Sequence, residues 1–133
     1  PVFYLKGNNY LMESLALIKY PSKFKEVLQQ MMLRTSSAEF PKNDNLKALS
    51  FQFYYSNKLN LHFLEGSFNE GIVVVPEIKK GIEDFKNQID PHHIMMFYYK
   101  IACVYFGAED YENCIVYLDK IVSNKSLKMR ELL

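Results

Sequence analysis

From Phe68 onward the apolar residues Phe68, Ile72, Val75, Ile78, Ile82, Phe85 and Ile89 follow one another at intervals of four, three, three, four, three and four. That interval keeps side chains on one face of an α-helix for about six turns. The same stretch contains "GIVVVPEIKKGI", residues 71–82, whose three valines also read as a short buried strand. A strand accounts only for residues 72–75 and finds no second strand to pair with. A helix accounts for the whole segment. It also predicts a bend near residues 72–76, because Pro76 has no amide hydrogen for the Ile72 carbonyl and its ring crowds that carbonyl.

Boundary chemistry extends this pattern along the chain. Ser67-Phe68-Asn69-Glu70 has the form of a capping box, in which hydroxyl and carboxylate each satisfy an amide of the first turn. Asp90-Pro91 places a capping carboxylate before a proline at the first helical position, and Asp110 and Ser22 stand as caps before Tyr111 and "KFKEVLQQMMLR". Helices are predicted over 8–19, 22–37, 44–65, 68–89, 91–107 and 111–123, with another beginning near 126. The expected fold class is all-α, with six to seven helices and no β-sheet.

A short motif recurs: "FKEVL" at Phe24, "FNEGI" at Phe68 and "YENCI" at Tyr111, at separations of 44 and 43 residues. Each copy puts an aromatic four residues before an aliphatic, on one helix face, and each follows another apolar-periodic segment. The helices therefore group as pairs, 8–37, 44–89 and 91–123, within a single domain over 1–133. The third pair, "MMFYYKIACVYFGAEDYENCIVYLDKIVSNKS" at 95–126, resembles a tetratricopeptide (TPR) repeat. Tyr98 takes the bulky first-helix position, Ile101 and Ala102 the leucine and small-residue pair, and Tyr105 the aromatic position. Tyr111 opens the second helix, Cys114 falls where the two helices approach most closely, and Leu118 and Ile121 continue the buried stripe. Ser126 stands where the family has a proline, Cys114 replaces its alanine, and the spacing exceeds the usual period of about 34 residues. In the second copy Gly71 is the small residue and Phe68 the aromatic, while Lys58 and His62 depart from the pattern.

The resemblance implies antiparallel helix pairs stacked as a right-handed solenoid whose concave face holds peptides or partner proteins. Its groove positions are Met96, Tyr99, Cys103 and Phe106 in the third copy and Phe53, Ser56, Asn60 and Phe63 in the second, with Asn57 and Lys100 as polar contacts for an extended peptide. A plainer reading stands beside this one. It packs the aromatic and Met residues of 95–106 into the core and leaves Asn57, Asn60 and Lys100 as solvated helix residues.

Composition narrows the function classes. The 133 residues are 49% hydrophobic, enough for a core, and 16 basic against 15 acidic residues leave a net charge of +1. Such mixed charge offers no footprint for nucleic acid or an anionic membrane. No apolar run approaches the roughly 18 residues of a membrane span, and "PVFYLKGNNY" lacks the regions of a signal peptide. A cytoplasmic setting with Cys103 and Cys114 reduced is expected. The chain opens without Met and stops at "SLKMRELL", as a piece of a longer protein would, and apolar end helices offer a route to a homodimer.

Catalytic patterns are sparse. His92 and His93 are neighbours and point about 100° apart on a helix, and His62 stands alone. Glu83, Asp84, Glu109 and Asp110 read as helix-surface or helix-start residues, and Cys103 has no basic neighbours to activate it. No phosphate loop, HExxH or nucleophile elbow occurs. The sequence thus points to a non-catalytic protein- or peptide-binding module without cofactor or metal. Its contact set would be Phe53, Asn57, Asn60, Met96, Tyr99, Lys100 and Phe106. The alternative is a sensory or regulatory segment of a larger bacterial transcriptional regulator or signalling protein.

Overall fold

Local chemistry sets most of the helix boundaries in the computed structural model, which describes residues 1–124. Among these residues there are six α-helices and no β-strand: α1 (Val2–Leu17), α2 (Pro21–Thr35), α3 (Asp44–Glu65), α4 (Phe68–Phe85), α5 (Pro91–Gly107) and α6 (Tyr111–Val122). The chain is all-α, and the valine run belongs to α4. The helix expected near 126 lies outside the described residues.

Asp90 caps α5 by accepting from the His92 amide at 2.7 Å, with Pro91 at the first helical position. Asp110 caps α6 by accepting from the Asn113 amide at 3.2 Å. Asn43 does the same for α3, taking the Leu46 amide at 2.9 Å, and Gly66 closes that helix in the left-handed region at φ 67°. Two expected caps differ. Pro21, not Ser22, opens α2 after Tyr20. Ser67 stands at the N-cap of α4 without a side-chain cap bond.

The end positions of two helices also differ from expectation. Helix α1 begins at Val2 instead of residue 8, since Asn8 turns its amide back to the Tyr4 carbonyl at 2.8 Å and is absorbed into the helix. Helix α4 stops at Phe85, short of 89. A turn follows in which the Gln88 and Ile89 amides both donate to the Phe85 carbonyl, at 2.9 and 3.0 Å, before Asp90 takes up extended backbone ahead of Pro91 (φ −55°, ψ 135°).

Contacts divide the chain into two compact units, Pro1–Gly66 and Ser67–Leu133, so α3 and α4, expected as one pair, belong to different units. In the first, α1, α2 and α3 each pack against the other two. Leu5, Met12 and Leu15 from α1 meet Phe24, Val27, Leu28 and Met31 from α2, with Leu46 and Leu61 from α3 and Phe40 from the intervening loop. Fully burying each such side chain contributes about 1.5–3 kcal/mol relative to exposure.

In the second unit α5 packs against both α4 and α6. The stripe predicted for α4 is realised: Val75, Ile78 and Ile82 are buried, as is Ile89 beyond the helix end, while Phe68, Ile72 and Phe85 are half-buried. Val73 is exposed, and Pro76 lies inside the helix on an exposed position. Gly107, at the end of α5, sits against the Phe68 ring so closely that a Cβ there would overlap it. On α6 the buried residues are Cys114 and Tyr117, with Ile121 half-buried. Leu118, expected in that stripe, is 39% exposed, because Tyr117 takes the inward position and packs beside Tyr98 and Tyr105.

Candidate functional site

Helix α5 carries two chemically similar but differently placed sets of apolar residues. Met95, Phe97, Ile101, Ala102 and Val104 are buried. Met96, Tyr99 and Phe106 are 41%, 53% and 62% exposed, with Cys103 half-buried on the same line. The core reading of 95–106 therefore holds for the first set, while the second faces solvent. Tyr99 lies beside Cys103, whose hydrogen bond, more than any other influence, raises the phenol above its ordinary range. Lys100 is half-buried.

The exposed line continues onto α6. The Phe106 ring meets the Tyr111 ring edge-on at 5.6 Å. From there Tyr111, Ile115, Leu118 and Val122 are all exposed, at intervals of four, three and four, which is one helix face. Sequence reasoning missed this second stripe. The spacing is there to find, but the repeat pattern makes Tyr111 the opening residue of the helix and puts Leu118 in the buried stripe.

The other expected contact residues belong to the first unit. Phe53 is half-buried and packs against the core cluster. Asn57, expected as a solvated residue or a peptide contact, is only 1% exposed. Its Nδ2 donates to Asn9 Oδ1 and to the Phe53 carbonyl, each at 2.8 Å, and its Oδ1 accepts from Asn60 Nδ2 at 3.4 Å. Asn57 is thus a buried polar tie between α1 and α3. Asn60 and Phe63 are half-buried and line an open cleft of about 530 Å³ with Glu13 and Leu17.

On the inner side of α5, Tyr117 stacks on Tyr105 (centroids 5.9 Å apart, planes at 21°) and tilts against Tyr98 at 5.8 Å. Burial pushes all three phenols above their ordinary range, and Glu83 adds to the rise at Tyr98, Asp110 at Tyr105, and the neighbouring tyrosines at Tyr117. They are neutral at physiological pH.

The titratable groups most open to a catalytic reading have structural settings. His92 and His93 lie exposed in the first turn of α5 with rings 5.8 Å apart, and His62 is buried in α3. Glu83 and Asp84 pair with Lys86 and Lys80, both at 3.0 Å on the surface of α4 and its end. Burial, then Cys103, raises the Cys114 thiol, which disfavours its thiolate. Among the described residues no group of three His, Cys, Asp or Glu side chains is placed to hold a metal ion, and no helix is long and apolar enough to cross a membrane.

No protein-family model, curated protein or solved structure matches the chain.

Proposed function

We propose that the chain is a non-catalytic helical-repeat module that holds a protein or peptide along the exposed stripe of α5. The observation that carries this reading is the helical line of Met96, Tyr99 and Phe106, all more than two-fifths exposed on a helix whose other apolar residues are buried or half-buried. Rigid aromatic side chains left in water at regular spacing lose little entropy on binding, the flexible Met96 thioether adapts to what it meets, and all gain from being covered. The α6 line Tyr111, Ile115, Leu118 and Val122 enlarges the surface through the Phe106–Tyr111 contact.

The TPR-like arrangement of the third repeat belongs to the same proposal. It is supported by the three-residue connection between α5 and α6, which favours antiparallel packing, and by the buried small residues Ala102 and Cys114. The half-buried Tyr98 and Tyr105 around Tyr117 also agree with it.

Selection of random displayed peptides on the full chain tests the binding assignment, with a Met96→Ser/Tyr99→Ala/Phe106→Ser variant of unchanged helical circular dichroism as the comparison. Recovered peptides should lose at least about tenfold in affinity on the variant, as expected when aromatic anchors are truncated. Peptides that bind both proteins alike, or a selection that yields none, would overturn the assignment.

A further inference from the structure

The second unit holds a cleft of about 470 Å³, lined by α4, α5 and α6, that lies away from the exposed stripe. Its floor is Tyr105, one residue before Phe106 and so about 100° around α5 from the stripe. Val75 and Pro76 form one wall and Val116 and Tyr117 the other, and two exposed lysines, Lys79 and Lys120, stand at its rim. The volume falls within the ordinary range for ligand sites, and the mixture of apolar wall and a few polar groups is their usual composition.

The charge of the cleft is one-sided. No Asp or Glu lines it. The neighbouring carboxylate that raises Tyr105, Asp110, is committed to the start of α6, where it accepts from both the backbone amide and the Nδ2 of Asn113. That leaves the Oδ1 of Asn113, itself a lining residue, as an acceptor on the cleft wall. The Lys120 ammonium is held over two ring faces, 5.7 Å from Tyr98 and 5.9 Å from Tyr117. Contact with the two rings restricts the exposed ammonium before any ligand arrives, which lowers the entropic cost of forming an ion pair. The phenols of Tyr105 and Tyr117, kept protonated, can donate to an anion.

We propose that this cleft binds an acidic peptide segment, with a glutamate or aspartate carboxylate between Lys79 and Lys120 and the adjoining apolar residue against Pro76 and Val116. Charge complementarity fixes the acidic residue, and the apolar wall beside it selects a peptide with an aliphatic neighbour over a simple anion. Pro76 has a place in this site: lacking an amide hydrogen, it presents a rigid apolar ring where α4 faces α6 across the cleft. The site is distinct from the α5 stripe, so either can fail without the other.

The test is titration of the full chain with short, end-blocked peptides of alternating Glu and Leu and of alternating Gln and Leu, followed by fluorescence anisotropy. The Glu peptide should bind, weaken as salt rises, and lose about tenfold in affinity on Lys120→Met and on Lys79→Met, the loss expected for a charge-assisted hydrogen bond. The Gln peptide should bind at least tenfold more weakly than the Glu peptide, by the same arithmetic. Tyr99→Ala should leave the Glu-peptide affinity unchanged. Amide shifts at Asn113 and Val116 on adding the Glu peptide would support the location. Equal binding of Glu and Gln peptides, no effect of either lysine variant, or loss on Tyr99→Ala alone would overturn the proposal. So would inorganic phosphate competing at the concentrations at which the peptide binds.

Discussion

Asn57 of α3 and Asn9 of α1 are joined side chain to side chain at 2.8 Å, across a separation of 48 residues in the chain. The bond is one link in a line. Asn60 donates to Asn57, Asn57 to Asn9, and Asn9 Nδ2 to Glu13 Oε1 at 3.2 Å, so the buried amide is tied to a carboxylate at the surface. Because Asn57 is buried, removing it leaves donors and acceptors that packing cannot satisfy. Asn57→Ala is expected to cost the chain about 1–3 kcal/mol in urea unfolding. Asn57→Asp should cost more, since it sets a buried carboxylate against the Asn9 carbonyl oxygen. Asn9→Ala should be milder, and the double variant should show about 1 kcal/mol of coupling. Additive effects would mean that the tie contributes nothing of its own.

Gly107 and Phe68 make a second prediction, within the other unit. A Cβ at 107 would overlap Cγ, Cδ1 and Cε1 of the Phe68 ring, so the whole ring must shift and not only its tip. Alanine favours a helix over glycine by about 1 kcal/mol, which alone would make Gly107→Ala stabilising. Overpacking opposes this and typically costs about 1–3 kcal/mol. We expect Gly107→Ala to lower the unfolding midpoint, and the added change Phe68→Leu to cost less on that background than alone. A Gly107→Ala variant as stable as the parent would show that the ring yields freely.

The tyrosine cluster predicts an alkaline weakness. Folding raises the phenols of Tyr98, Tyr105 and Tyr117, so the folded state holds protons that the unfolded chain releases from about pH 10, the ordinary phenol value. Their contribution is fully present below that pH and is lost as pH rises through the folded-state values. Unfolding free energy should fall above about pH 10, with tyrosinate absorbance titrating late in the folded protein. Tyr117→Phe, which keeps the stacked ring and removes one raised phenol, should flatten the decline. A decline of unchanged steepness in Tyr117→Phe would place the effect elsewhere.

Helix existence was legible because the signals are local. The 4-3-3-4 rhythm from Phe68 to Ile82, the Asp90-Pro91 start and the Asp110 cap all act within a few residues, and the structure realises each. What the sequence hid was long-range. Asn57 lies four residues from both Phe53 and Leu61, a position in line with apolar neighbours, yet only its partner Asn9 explains why an amide is tolerated there. On α6 the choice between Tyr117 and Leu118 turned on ring partners contributed by α5, so a pattern confined to α6 put Leu118 inside. The α5 face was recognisable as apolar, but whether Met96, Tyr99 and Phe106 met core or water depended on helix rotation.

Pro76 carries the last prediction. It lies inside α4, where it cannot donate to the Ile72 carbonyl, and an interior proline costs about 3 kcal/mol relative to alanine in a straight helix. Bending relieves the ring's clash with that carbonyl but does not restore the bond. Residual dipolar couplings on the wild-type chain are expected to give an angle above about 20° between segments 68–75 and 77–85, the range of proline kinks. In Pro76→Ala the angle should shrink and the new amide should exchange slowly with solvent, as one bonded to Ile72 would. Some of the proline's restriction of the unfolded chain, about 0.4–1 kcal/mol, is lost at the same time. The net effect on unfolding should still be a gain of about 1 kcal/mol or more. If α4 is straight in both proteins, the proline shapes only the cleft wall beside Val116; if the variant is less stable, packing on α5 depends on the bend.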